Sequence, residues 1–305
     1  MSQNIGLQPE GRNADKRMMR SLILRRLCTL PVLFALAGFC GATLLRFAPG
    51  FDADERELDT RLSAESLARI RESHTADRNL ITYYARFLTG ALSGDLGVSR
   101  NLDRPVTELL RERLPVTIRL VAYGILAAWI AGLGCALAAM LRPGGVVFDL
   151  LGTVSSSILL SLPAALFGIL FLYWRGPLPI ALGLLLFPRI FTYARNLLES
   201  AQAMPHVLQA QARGVGRTAI LFRHVVPIAF PQLGSLAAVS VSLALAAAIP
   251  LEALCDQPGI GQLAWQAALG RDLPLLVGLT LVMALVVMSV NTASDIASAA
   301  LRRQS

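Results

Sequence analysis

The sequence predicts an all-α, polytopic membrane protein with six transmembrane helices. Three observations carry that expectation: long runs without any charged residue, a mean hydropathy of +0.57, and a charged fraction of only 16%, where soluble domains carry roughly a quarter. Residues 27–45, 120–141, 150–174, 225–251 and 273–294 contain no Asp, Glu, Lys or Arg. Each is near or above the roughly 20 residues that a helix needs to cross about 30 Å of hydrocarbon. The remaining run, 176–194, is interrupted by Arg189, whose long stem can snorkel to the headgroups.

Charge placement orients these helices. Arg12, Lys16, Arg17, Arg20, Arg25 and Arg26 precede the first run, and Arg302 and Arg303 follow the last. Arg189, Arg195, Arg213, Arg217 and Arg223 flank the segment between the fourth and fifth runs. An even number of crossings puts all three clusters on one side, which the positive-inside rule makes cytoplasmic. The net charge of +8 is thus read as a topology signal with anionic lipid as its partner, not as a nucleic-acid surface.

Taken in order, 1–21 reads as a polar cytoplasmic tail, and 22–115 as the first helix with a long periplasmic loop. Residues 116–300 form the core transmembrane domain, and 301–305 a cytoplasmic tail. The first run is too long for a signal-peptide core and no small-x-small cleavage site follows it, so it is expected to stay as an anchor. Within the outer loop, Ser63 can cap a short helix over 63–71. Leu80, Tyr84, Phe87 and Leu88 repeat at helical spacing over 79–92. Gly94-Asp-Leu-Gly-Val-Ser99 breaks that pattern as a structural glycine turn, 106–113 is amphipathic, and Pro115 introduces the second crossing. Tight turns are expected at 142–145 and 175–177, and a short helix at 262–269 in the last outer loop. Pro163, Pro227 and Pro231 are expected to kink or start helices. Gly124, Ala128, Gly132 and Gly134 offer close packing. Segment 196–223 is too polar to cross and too apolar for a tail, so it reads as one or two helices lying along the membrane surface.

Catalytic chemistry is missing where it would be sought. Lys16 is the chain's single lysine and is followed by Arg17, so no Gly-Lys-Ser/Thr phosphate cradle is possible. There is neither His-Glu-x-x-His nor Gly-x-Ser-x-Gly. His74, His206 and His224 fall on separate loops, and Cys28, Cys40, Cys135 and Cys255 are scattered. No cofactor, metal site or disulfide framework is inferred. Acidic groups near the crossings, Glu252 and Asp295, stand only at span ends, with Asn291 beside Asp295 as a helix-end hydrogen-bonding pair. Glu252 is expected to be hydrated, or to touch the solute or a protein that delivers it. Ion-coupled carriers keep such groups inside their spans, so energy is expected to arrive by contact with a soluble partner.

Ala210-Gln-Ala-Arg-Gly214, followed by Arg223, His224, Pro227 and Pro231, resembles the EAA loop of ATP-binding-cassette (ABC) importer permeases in its dipeptide, oligopeptide and nickel branch. The rest of that branch's pattern is similar in order: Gly94–Ser99, Arg104-Pro-Val, Arg113-Leu-Pro-Val-Thr117, Ser161-Leu-Pro163, Glu252, Pro258-Gly-Ile-Gly261, Asp272-x-Pro274, Asn291 and Asp295. The resemblance runs from about residue 22 to 300 and is to the first of two non-identical permeases. Departures are Leu208 in place of the loop's glutamate, Gln211 in place of an arginine, a short connection between the third and fourth runs, and an ending without Asp-Pro-Arg.

The resemblance implies a type I ABC importer permease fold with a cytoplasmic coupling helix, in the bacterial inner membrane with both termini cytoplasmic. It implies as partners a second homologous permease, two ATP-binding-cassette ATPase subunits or domains that hydrolyse the ATP, and a periplasmic or extracellular solute-binding protein. Gln209, Ala210, Gln211, Ala212, Arg213, Gly214, Arg217, His224 and Pro227 are the implied ATPase-coupling residues, His224 as a packed boundary side chain. No substrate-binding residue is assigned. Short peptides are the expected cargo, with nickel or a metal chelate as the alternative. A non-transport assembly factor or a secondary carrier is the reading from another class.

Overall fold

The computed structural model describes residues 93–141 and 146–301, together with Leu36, Phe39, Thr43, Phe87 and residues 89–91. The expected helix at 63–71 and the turn at 142–145 lie outside the described residues, as does most of the first run, of which Leu36, Phe39 and Thr43 are helical. Among the described residues the regular structure is helical, and the β pairing is an isolated bridge between Val98 and Pro105.

Helix α1 spans Val106–Leu141, α2 Val146–Ser161, α3 Ala164–Tyr173 and α4 Leu178–Gln202. A two-turn helix, α5, covers Pro205–Ala212, and α6 runs over Arg217–Leu254 through a π turn at Leu221–Val225. Helix α7 is Ile260–Leu269 and α8 is Leu273–Leu301. Helices α1, α4, α6 and α8 are each long and apolar enough to cross a bilayer.

Two expectations change here. The charged stretch 106–113 and the second crossing are one continuous helix, with Pro115 inside it rather than at its start. The expected single crossing at 150–174 is broken: α2 and α3 meet at 97°. Pro163 is extended (φ −67°, ψ 147°) and lacks the N–H that would continue α2, while its ring disfavours helical backbone at Leu162.

The bundle is built around α1 and α4, which approach closely along small residues. A Cβ added to Gly124 would lie 2.7 Å from Leu182 Cδ2, and one on Gly132 2.9 Å from Ile190 Cγ2. Ala128 is buried between them. Gly134 departs from the expected seam, facing open space with nothing within 4 Å of a built Cβ. Around this core the apolar surface is left outward: α2 buries only Gly152 and Ser156, and Leu126, Ile130, Leu150 and Val154 are exposed. Such a surface suits hydrocarbon, where helices associate through close packing rather than through apolar burial.

The glycine block closes one end. Ser99 Oγ donates to Asp272 Oδ2 at 2.5 Å, Asn101 N donates to the same oxygen at 3.0 Å, and Leu275 N donates to Asp272 Oδ1 at 3.1 Å. Asp272 thus caps α8 and ties the 97–106 loop to it, with both Ser99 and Asp272 fully buried. On the exposed side Arg104 pairs with Glu108 and Glu112, which hold its guanidinium still more firmly in the charged form.

Candidate functional site

The segment between α4 and α6 is a compact helix-turn unit whose shape follows from its local sequence. Ala203 ends α4 by donating its N–H to Glu199 O at 3.1 Å. Met204 is extended (φ −68°, ψ 142°) and Pro205 starts α5, where a missing N–H does no harm. Val207 and Ala210, one turn apart, are buried, and they anchor α5 against the bundle. Arg213 caps the helix, Gly214 N donates to Gln211 O at 2.9 Å, and Val215 N donates to Ala210 O at 3.2 Å. This is a Schellman closure, which needs a left-handed residue; Gly214 supplies it at φ +77°. Gln209, Gln211, Ala212, Arg213 and Gly214 are left exposed.

The return strand is equally defined. Gly216 caps the first turn of α6, whose Arg217 is exposed. The helix then widens into the π turn, where Val226 N donates to Leu221 O. Pro227 follows immediately. Its ring would press on the carbonyl four residues back and it has no N–H to offer, and a widened turn relieves both problems. His224, within that turn, is half-buried, and Pro227 is exposed.

Behind this unit lies an open cleft of about 710 Å³, lined by both ends of the segment and by α1, α2 and α4. Gln211 and Arg217 line it; His224 and Pro227 do not. The other implied residues, Gln209, Ala210, Ala212, Arg213 and Gly214, lie along α5 and its turn rather than among the cleft residues. Among the implied coupling residues Ala210 is buried against the chain itself, whereas Ala212 and Gly214 are exposed.

Sequence reasoning missed the cleft's charged group. Arg195 Nη2 donates to Asp149 Oδ2 at 2.9 Å and approaches Glu199 Oε1 at 3.0 Å, and Arg195 Nε contacts Asp149 Oδ1. The triad joins the start of α2 to the end of α4. Its signal was available in part, since Arg195 and Glu199 stand at i,i+4 spacing; Asp149 comes from another element and could be found only in the fold.

At the opposite end of α6, Glu252 is fully buried rather than hydrated. Gly261 N donates to Glu252 Oε2 at 2.6 Å, and Ile260 N donates to Thr117 Oγ1 at 2.8 Å. A Cβ on Gly259 would fall 2.3 Å from the Glu252 carboxyl carbon. The Pro258–Gly261 turn therefore wraps the carboxylate and pins α7 to α1 and α6. Near the far end of α8, Asn291 Oδ1 accepts from Ser242 Oγ at 3.3 Å; its expected mate Asp295 lies outside the described side chains.

Comparison with known proteins agrees with this architecture. A chain of the MetNI methionine ABC transporter, solved in inward-facing conformations, superposes with a TM-score of 0.56 at 17% identity, covering 63% of this chain and 96% of that one. That likeness speaks to the fold. The probable peptide ABC transporter permease protein y4tP of Sinorhizobium fredii is 28% identical over 293 residues, covering 83% of this chain and 89% of that protein. The oligopeptide transport system permease protein OppB of Salmonella typhimurium is 28% identical over 286 residues, covering 87% and 92%. The family model for the binding-protein-dependent transport system inner membrane component matches residues 124–304, from the α1–α4 seam through the capped α5 segment to the end of α8, and the chain belongs to that family of multi-pass ABC importer permeases.

Proposed function

We propose that this chain and a second, homologous permease form the membrane path of an ATP-driven importer of short peptides, and that two ATPase subunits or domains drive it through the α5 segment. The observation that carries the reading is α5 itself: a short helix outside the spans, started by Pro205 and closed by a Schellman turn, held to the bundle by Val207 and Ala210, with Gln209, Ala212 and Arg213 turned outward. Two anchored buried residues and a Schellman turn make it a body that moves as a unit.

Its connections suit mechanical transmission. A push on α5 reaches α4 directly, α2 through Asp149–Arg195, and α6 through the π turn. Exposed Arg213 and Arg217 offer guanidinium forks to carboxylates on the ATPase surface. In this reading α5 faces the cytosol, both termini are cytoplasmic, and a solute-binding protein delivers cargo to the end closed by the Ser99–Asp272 loop. ATP hydrolysis belongs to the partner ATPases. Peptide is favoured over nickel as cargo because the relatives matched over most of the chain are named as peptide permeases.

The test is site-directed cross-linking in the assembled transporter. Thiols introduced by Q209C and R213C should join to cysteines on the ATPase in a nucleotide-dependent way, and the cross-link should block uptake of a labelled tripeptide. A segment that links to nothing cytosolic, or whose locking leaves uptake unchanged, removes the coupling assignment.

A further inference from the structure

Arg189 stands about 16 Å along α4 from its first residue, at 1.5 Å per residue, well inside the apolar part of the span. Six positions later on the same helix Arg195 is neutralised by Asp149 and Glu199. Arg189 has no hydrogen bond or ion pair among the described residues. It lines an open cleft of about 910 Å³, together with Thr192 and Tyr193 from α4 and Gln232 and Ser235 from α6; leucines, Val239 and Pro188 make up the rest. No Asp or Glu is among the lining residues.

Ionisable side chains at this depth face protein interiors or water-filled cavities and mark solute paths, since hydrocarbon does not solvate them. Here the lining among the described residues is rich in hydrogen-bond donors, carries one positive charge, and includes no acidic group that would hold an ammonium. A guanidinium presents a planar fork that matches a carboxylate in two parallel bonds. The apolar remainder can accept varied side chains, and the volume falls in the range of about 300–1,000 Å³ common for small-molecule sites. Arg189 is exposed and opens onto this cleft.

We infer that Arg189 receives the terminal carboxylate of the peptide as it crosses the membrane, an assignment that rests on the peptide-importer reading above. The site holds its anion only transiently: it orients the peptide along the path while Tyr193 and Gln232 supply further donors, and it releases the peptide when α4 and α6 move.

The experiment uses the complete reconstituted transporter with its binding protein. R189Q should lower trialanine uptake about tenfold, the loss of one charge-assisted contact, while ATP hydrolysis stimulated by the loaded binding protein persists. R189K should recover at least half of the lost rate. In a background without the native cysteines, trialanine should protect the thiol of S235C from a methanethiosulfonate reagent. Trialanine amide should not, and R189Q should abolish the protection. Equal protection by acid and amide overturns the inference, as does unchanged uptake in R189Q. So does an R189Q complex that dissociates while R189K holds, which would make Arg189 an ion-pair partner of the second permease. Loss of a co-purified anionic lipid from R189Q with uptake intact would assign the guanidinium to a headgroup instead. If the unaltered complex takes up no trialanine, the importer reading itself fails. If uptake proceeds but S235C is never protected, only the Arg189 site fails.

Discussion

Two buried carboxylates organise the end of the bundle away from α5, and each makes a residue-level prediction. Glu252 is enclosed by Gly259 and Gly261, where a Cβ would sit 2.3 Å from its carboxyl carbon and 2.6 Å from Ile249 Cα, respectively. G259A and G261A should each destabilise the protein by at least about 2 kcal/mol, the range for overpacking a filled site, seen as a lowered melting temperature in detergent. G134A, with open space around it, should leave that temperature unchanged or slightly raised. Ser99 joins Asp272 to Leu102 N, and S99A should cost about 1–3 kcal/mol by removing one of the two donors to Asp272 Oδ2 and leaving the Leu102 N–H without its acceptor. Neither environment was legible beforehand. A carboxylate at the end of an apolar run reads as hydrated, and only the folded turn at Pro258–Gly261 shows that the Gly261 N–H takes the place of water at Glu252 Oε2.

At the level of elements, the charge-free runs located most of α1, α6 and α8, and the run interrupted by Arg189 located α4, because a helix in hydrocarbon must hide its polar groups over a fixed length. The break between α2 and α3 was less visible: Pro163 announced a kink, but a kink and a 97° turn carry the same sequence mark. The α5 unit was located by its Ala-rich motif and glycine, while its inward anchoring through Val207 and Ala210 depended on tertiary packing. Gly214 at φ +77° gives a direct test: G214A should cost about 1 kcal/mol and G214N distinctly less, since asparagine tolerates that region. Thermal unfolding reads the difference. The Asp149–Arg195 pair makes a second one. D149N or R195Q should let ATP hydrolysis continue while peptide moved per ATP falls severalfold. The double variant should be no worse than either single, because both remove one shared link. Additive losses would detach the pair from coupling.

For the whole molecule, orientation is the property on which the mechanism turns. V98C, on an exposed part of the loop tied to Asp272, and R213C, on the exposed turn after α5, should fall on opposite sides of the membrane. A membrane-impermeant maleimide applied to intact cells should label V98C alone, and R213C only after permeabilisation. The reverse pattern would invert the molecule and detach α5 from any cytosolic ATPase. The basic clusters are what the sequence offers for this orientation, since long loops escape the charge rule and short flanks obey it.

The elbow between α2 and α3 bears on how the chain survives before assembly. Neither arm alone, at 16 and 10 residues, reaches across the hydrocarbon, and the carbonyls at the end of α2 lose their helical donors where the chain turns. Lipid tails offer no replacement. Ser161 Oγ donates to Ile158 O at 2.7 Å and Leu162 N to Leu159 O at 3.4 Å, which answers part of that loss within the chain; in the importer proposed above, the second permease would cover the rest. Newly made chain should therefore be short-lived in cells lacking its companion permease and long-lived once the pair is co-synthesised.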